Sequence, residues 1–171
     1  MKTLGAVLAG GRSSRFGSDK ALAMLDGRTL LDHAQAALAP HCDALVIVGR
    51  DGGIADWPRP GMGPLGAIAG ALDHAAARGF GQLLTAPVDC VRLPDDLRAL
   101  LQPAPAFLAS QPVIGLWPVA ALGELRAMFD ADDLAVRAFA RRIGARAVES
   151  DFVPPNVNSV ADLDRLADRF S

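Results

Sequence analysis

A glycine-rich segment directly after an apolar run constrains this chain more than any other feature of its sequence. Residues 3–8 (TLGAVL) predict a buried first strand, and residues 8–20 (LAGGRSSRFGSDK) combine three glycines with two arginines and one lysine. Glycines just past a strand end let backbone N–H groups approach an anion that a Cβ atom would keep away. The cations would then neutralise the anion, so the segment predicts a phosphate-binding loop.

Two well-known phosphate loops do not fit the spacing of this segment. The kinase-type P-loop needs four residues between its glycines and a lysine directly after the second one. Here five residues separate Gly11 from Gly17, and two more precede Lys20. The dinucleotide fingerprint G-x-G-x-x-G fails because Gly10 and Gly11 are adjacent. A solvated Gly/Ser turn with surface arginines is the alternative for a bare glycine-rich loop, and the full thirteen-residue pattern argues against it.

Strand and helix patterns alternate along the chain. Apolar runs predict strands over residues 3–8, 44–48, 82–86, 106–108 and 113–117. Apolar residues near helical spacing predict helices over residues 29–38, 65–77, 94–101, 119–129, 134–143 and 160–170. The early strands lack period-2 alternation, which is typical of a parallel sheet buried on both faces. We therefore expect a three-layer αβα fold with a Rossmann-like, mostly parallel sheet and its ligand at the carboxyl ends of the strands.

Length and composition agree with one domain over residues 1–171. The chain has 171 residues, 51% of them hydrophobic, and no break in composition suggests a second domain. A formal net charge of -2 argues against nucleic acid as a partner, because nucleic acid usually requires a basic face. The short apolar start predicts neither a signal peptide nor a membrane span, so we expect a cytoplasmic protein without a membrane partner. Cys42 and Cys90 lack any paired spacing and are expected to be buried thiols or residues without a role.

Four motifs resemble those of one known family. Residues 8–20 resemble the signature of the molybdenum cofactor guanylyltransferases, a MobA-like family of nucleotidyltransferases. GPLGAI at residues 63–68 is similar to the start of a helix in that family, APVD at 86–89 to the strand end that carries its metal-binding aspartate, and NVNS at 156–159 to its asparagine segment. The four motifs occur in the family's order and cover nearly the whole chain. The resemblance implies a sheet of the nucleotidyltransferase type.

The resemblance also implies an activity. Enzymes of this family transfer GMP from GTP to molybdenum-bound molybdopterin, which yields the guanine dinucleotide cofactor and pyrophosphate. The expected cofactor is Mg²⁺. The expected partners are GTP, molybdenum-bound molybdopterin and cofactor-delivery or acceptor proteins. Two other functions stay open: a cytidylyltransferase acting on molybdopterin or another phosphate, and a regulatory module that binds a nucleotide without transferring it.

Three residues are expected to carry the transfer chemistry. Charge builds on the α-phosphoryl and leaving oxygens, so the site must offset it. Arg15 and Lys20 would supply positive charge, and the resemblance implies that Asp89 holds the magnesium ion. A lone carboxylate suits magnesium, which is commonly held by one or two carboxylates plus phosphates and waters. The alternative is that Asp89 caps a helix or turn after Pro87.

The resemblance assigns further residues to nucleotide binding. The full set is Leu8, Ala9, Gly10, Gly11, Lys20, Asp56 and Asp89. Asp56 is included because it stands seven residues before Gly63, at the family's spacing. The alternative for Asp56 is a solvated loop carboxylate beside Arg59. The family often carries asparagine after the second strand, but here Gly49 and Arg50 follow, so one side-chain contact to the nucleotide is missing or replaced by backbone.

The acceptor side is marked by two asparagines and one departure from the family. The resemblance suggests that Asn156 and Asn158 hydrogen-bond the pterin or its phosphate. The alternative is a turn at 154–156 with Asn158 or Ser159 capping the last helix. Residues 103–115 are short for the usual substrate-facing hairpin and carry Gln111 where the family often has histidine. We expect this region to recognise the acceptor.

Overall fold

The computed structural model describes residues 1–11, 19–131, 134–155 and 157–168. Its strands are β1 (Thr3–Leu8), β2 (Met24–Leu25), β3 (Arg28–Thr29), β4 (Ala44–Val48), β5 (Gln82–Pro87), β6 (Ala106–Leu108), β7 (Gln111–Pro118) and β8 (Arg146–Val148). Its α-helices are α1 (Leu30–Leu38), α2 (Gly63–Ala77), α3 (Leu97–Leu100), α4 (Leu122–Asp130), α5 (Val136–Arg142) and α6 (Val160–Ala167).

Six of these strands form one mixed sheet in the order β4-β1-β5-β7-β6-β8. β4, β1 and β5 are mutually parallel, and β8 is parallel to β6. β7 runs antiparallel to both of its neighbours. The carboxyl ends of β1, β4 and β5 therefore meet at one edge of the sheet, where the amino end of β7 also lies. The prediction of a mostly parallel sheet in a three-layer αβα fold is confirmed.

Helices cover both faces of the sheet. Leu4, Ala6 and Leu8 of β1 pack into a core with α2, α4 and α5. Val7 and Ala9 point to the opposite face, where they join a second core with α1 and residues of α3. Alternate side chains of a strand face opposite sides of a sheet, so an unbroken apolar run is what burial on both faces requires.

The structure departs from the predicted elements in four places. The strand predicted at 113–117 is the antiparallel β7, because only two residues join it to β6 and a parallel connection needs a dozen or more. The helix predicted over 94–101 is reduced to α3 (Leu97–Leu100). β8 and the small β2–β3 hairpin were not predicted, because β2 and β3 have only two residues each and β8 begins with a charged arginine, so none of them forms a continuous apolar run long enough to detect. No helix among the described residues is long and apolar enough to cross a bilayer.

A smaller third core places α6 beside the start of α1. Leu25 of the β2–β3 hairpin, Val91, Val157 and Leu163 of α6 are all buried in it. Because Val91 follows β5 closely, this core brings residues 157–163 towards the edge of the sheet at which β1 and β5 end.

Candidate active site

A cavity of about 1020 Å³ opens at the carboxyl ends of β1 and β5. It is bounded by the segment after β1, the segment after β5, the start of α2 and one residue that precedes α6. Its lining residues are Leu8, Ala9, Gly10, Gly11, Asp19, Lys20, Ala21, Asp56, Gly61, Gly63, Pro64, Ala67, Pro87, Val88, Asp89, Val113 and Asn158. Every described residue predicted to bind the nucleotide lies on this wall. The predicted cation Arg15 lies outside the described residues.

Directly after β1, the chain enters the glycine loop (residues 9–20), and the start of this loop packs closely against the backbone that follows β4. Ala9 N–H donates to Val48 O at 3.0 Å, which extends the pairing of β1 with β4 by one residue. A Cβ atom at Gly49 would lie 2.7 Å from Gly10 Cα, and the φ of Gly49 is +83°. Residue 49 therefore requires glycine, and a Cβ atom at Gly10 would lie only 3.0 Å from Gly49 Cα, closer than an ordinary contact. The contact fixes where the loop starts. Gly11 is also at positive φ, and no atom of the described residues lies within 4 Å of the position that its Cβ atom would take.

Lys20 and Asp89, 69 residues apart in the sequence, form an ion pair inside the cavity. Lys20 Nζ donates to Asp89 Oδ2 at 2.9 Å, and the two side chains are only 16% and 15% exposed. Asp89 Oδ1 is buried and has no hydrogen-bond partner among the described residues. The interaction of this carboxylate is thus with Lys20 rather than with a helix or turn N–H, which contradicts the capping alternative and leaves one oxygen available to a ligand.

Asp56, in the segment between β4 and α2, is half-buried and also lines the cavity. Its Oδ2 accepts a hydrogen bond from Gly61 N–H at 3.2 Å, and its Oδ1 is buried without a hydrogen-bond partner in the part of the chain described. Asp56 and Arg59 both belong to the described residues, and no ion pair joins them. A buried carboxylate oxygen without a donor is costly, so this geometry favours a ligand-binding carboxylate over a solvated one.

The neighbour of Asp56 anchors it to the helical layer. Trp57 N–H donates to Gly66 O at 3.0 Å, and a Cβ atom at Gly66 would lie 3.2 Å from Trp57 O. The Trp57 ring meets Phe129 edge to face at 5.3 Å between centroids, and the Arg126 guanidinium lies 5.1 Å from the Trp57 centroid. This packing holds the segment 56–57 against α2 and α4.

The acceptor residues are placed only in part. Asn158 lines the cavity, and its backbone N–H donates to Asp162 Oδ2 at 3.0 Å. Ser159 caps α6, because its Oγ accepts from Asp162 N–H at 3.2 Å. The capping alternative therefore holds for Ser159, while Asn158 remains at the cavity wall. Asn156 lies outside the described residues.

One charged pair at the cavity was missed by sequence reasoning. Arg50 donates through both terminal nitrogens to Asp19, at 2.8 Å and 2.6 Å. The hydrogen bond from Arg50 lowers the pKa of Asp19, and the same bond raises the pKa of Arg50. The only signal in the sequence was that Gly49 and Arg50 follow the second strand, where the resemblance suggested asparagine.

The cysteines play no part in this cavity. Cys90 is buried and Cys42 half-buried, and both are free thiols. Burial raises the pKa of each thiol, so neither is an activated nucleophile. The described residues hold no group of three or more His, Cys, Asp or Glu side chains that could bind a metal by themselves.

A cavity at the carboxyl edge of an αβα sheet, lined by glycines, a lysine and carboxylates, is the arrangement in which doubly wound α/β proteins bind their ligands. Residues 5–147 match the MobA-like NTP transferase domain. The chain belongs to this family of nucleotidyltransferases, as its four motifs predicted. The extent of the domain, residues 1–171, stays a prediction.

The similarity to individual relatives extends over almost the whole length of both chains. A molybdenum cofactor guanylyltransferase from Acidiphilium cryptum is 40% identical over 92% of this chain and 90% of its own. One from Rhodobacter capsulatus is 38% identical over 99% and 97%. The crystal structure of molybdopterin-guanine dinucleotide biosynthesis protein A from Archaeoglobus fulgidus superposes with a TM-score of 0.78 over 98% of both chains at 20% identity, a likeness of fold.

Proposed function

We propose that this protein transfers GMP from GTP to molybdenum-bound molybdopterin, giving the guanine dinucleotide form of the cofactor and pyrophosphate. The observation that carries the proposal is the Lys20–Asp89 ion pair in the cavity wall. One oxygen of the Asp89 carboxylate has no hydrogen-bond partner among the described residues. Relatives named molybdenum cofactor guanylyltransferase, at 40% and 38% identity over nearly the whole chain, support the choice of nucleotide and acceptor.

The chemistry needs positioning and charge rather than a protein nucleophile. A phosphate oxygen of the acceptor attacks the α-phosphorus of GTP, a new P–O–P bond forms, and the bond to the pyrophosphate leaving group breaks. Lys20 places its ammonium where phosphate oxygens gain charge, and backbone N–H groups at Gly10 and Gly11 hold phosphate oxygens near the end of β1. Arg15 would add a second cation.

The residues present fit a magnesium ion. Asp89 offers a carboxylate oxygen that is buried and lacks a hydrogen-bond partner among the described residues, and Mg²⁺ is commonly bound by one or two carboxylates together with substrate phosphates. Asp89 would therefore hold the ion. When bound, Mg²⁺ supplies Lewis-acid stabilisation of the phosphoryl and leaving oxygens. Lys20, hydrogen-bonded to the other oxygen, keeps the Asp89 carboxylate oriented.

The donor nucleotide would lie between β1 and α2. Backbone groups of Leu8, Ala9 and Gly10, which line the cavity, would contact the guanine. Asp56 Oδ1, which is buried without a hydrogen-bond partner among the described residues, would accept a hydrogen bond from the nucleotide. The acceptor would enter from the side of Asn158, with Asn156 beside it. The chain would act as one nucleotidyltransferase domain in the cytoplasm, with delivery or acceptor proteins taking the product.

Pyrophosphate release tests this proposal. The purified protein is given molybdenum-bound molybdopterin and Mg²⁺ with either GTP or CTP, and pyrophosphate and the dinucleotide product are measured. We expect turnover with GTP and little with CTP. Turnover with CTP alone would identify a cytidylyltransferase. Nucleotide binding without any pyrophosphate release would identify a regulatory module and refute the proposed transfer.

A further inference from the structure

Asp19 and Lys20 are neighbours in the chain, and each is held by a charged residue from a different strand end. Arg50, two residues after β4, makes two hydrogen bonds to Asp19. Lys20 pairs with Asp89, two residues after β5. Because β4 and β5 flank β1 in the sheet, these two ion pairs together cross the carboxyl end of β1.

Both ends of the Arg50–Asp19 pair are fixed by the backbone. Asp19 caps the 3₁₀ helix Lys20–Leu22, since its Oδ1 also accepts from Ala21 N–H at 3.1 Å. Arg50 O accepts from Gly53 N–H at 3.0 Å, which closes a turn after β4. Arg50 therefore hydrogen-bonds the same carboxylate that caps the 3₁₀ helix on which Lys20 lies.

We infer that Arg50 is a positioning residue for Lys20, acting through Asp19. This inference rests on the proposed function, which makes Lys20 a phosphate ligand. The planar guanidinium makes two parallel hydrogen bonds to one carboxylate, so it fixes the orientation of Asp19 as well as its distance. Residue 20 is thereby held against the β1 end, and its ammonium stays near Asp89 before the nucleotide arrives.

Lysine labelling reads the position of Lys20 without any substrate. The chain contains two lysines, Lys20 and the exposed Lys2, so Lys2 is an internal standard in the same molecule. The protein is treated briefly with an amine-acylating reagent, and the Lys20 to Lys2 modification ratio is measured by mass spectrometry. We expect Arg50→Ala to raise this ratio several-fold. Arg142→Ala, which breaks a pair with Glu124 remote from the cavity, should leave the ratio unchanged.

Arg50→Lys serves if Arg50→Ala does not fold. It keeps the charge but loses the two parallel hydrogen bonds, so the ratio should still rise. A folded Arg50→Ala or Arg50→Lys protein with the wild-type ratio would overturn the inference.

GTP binding then separates positioning from direct contact. We expect Arg50→Ala to raise the Kd for GTP about tenfold, as loss of a positioned charge-assisted contact allows. If Arg50 acts only through Asp19, the Arg50→Ala/Asp19→Asn double variant should bind GTP no more weakly than Asp19→Asn alone. Additive losses would overturn the positioning role and make Arg50 a ligand contact. Absence of GTP binding or pyrophosphate release in the wild type would refute the proposed function, whereas the labelling ratio would still decide the role of Arg50.

Discussion

Replacing Asp89 with asparagine tests whether the negative charge of this side chain is needed for the proposed transfer. Asp89→Asn conserves the size of the side chain and removes its negative charge. Lys20 Nζ would keep a hydrogen-bond acceptor 2.9 Å away but lose its counter-charge. The oxygen of Asp89 that has no described partner, the one proposed to hold Mg²⁺, would become part of a neutral amide.

The expected loss of activity exceeds the expected loss of stability. Removing one partner of a fully buried ion pair costs about 3–5 kcal/mol, whereas an exposed pair is worth roughly 0.2–1 kcal/mol. Both side chains here are about 15% exposed and the amide retains the hydrogen bond, so we expect roughly 1–2 kcal/mol of destabilisation. Loss of one transition-state electrostatic contact costs about 3–4 kcal/mol, or on the order of a hundred- to a thousand-fold in rate.

Two measurements separate these effects. Urea unfolding gives the free energy of unfolding, and pyrophosphate release with GTP and molybdopterin, titrated with Mg²⁺, gives the rate. Glu124→Gln is the matched control, because it removes the carboxylate of the Arg142 ion pair outside the cavity. We expect the control to retain full turnover. Full activity of Asp89→Asn at limiting Mg²⁺ would refute the metal-binding role of this residue.

Three further substitutions test the roles of individual residues. Gly49→Ala would force a Cβ atom to 2.7 Å from Gly10 Cα at a φ of +83°, so thermal or urea unfolding should show a loss of at least about 1 kcal/mol, and an unchanged midpoint would contradict the close contact. Gln111→His should change the apparent affinity for molybdopterin and spare that for GTP in binding titrations, whereas equal effects on both would refute the assignment of residues 103–115 to the acceptor. Hydrogen bonds, the strongest from the Ser159 hydroxyl, lower the pKa of Asp162 from 3.8 to about 2. The charged carboxylate therefore stabilises the fold fully above pH 3.8, and this stabilisation is lost as the pH falls through about 2. Asp162→Asn should therefore be less stable than the wild type at pH 7 in urea unfolding, with a difference that shrinks below pH 3.8; a difference that did not depend on pH would contradict this origin.

Local sequence was sufficient for the parallel strands β1, β4 and β5 and for most of the cavity wall, although it missed β2, β3 and β8. The apolar runs at residues 3–8, 44–48 and 82–86 predicted buried parallel strands because burial on both faces excludes polar alternation. The glycine loop placed Gly10 and Gly11 after the first strand, and the spacing of the motifs placed Asp89 at the end of another. These features depend on neighbours in the chain, which a sequence displays directly.

Tertiary structure alone decided which charges meet. Lys20 pairs with Asp89 across 69 residues because β1 and β5 are adjacent in the sheet, and strand order is not encoded in apolar patterning. Arg50 reaches Asp19 because Gly49 packs against the start of the glycine loop, a backbone contact without a pattern of its own. The antiparallel direction of β7 likewise follows from its short connection to β6. Residue types thus predicted a phosphate-binding site, whereas strand neighbours determined the partner of each charge, since ionic contacts depend on distance in space rather than on separation in sequence.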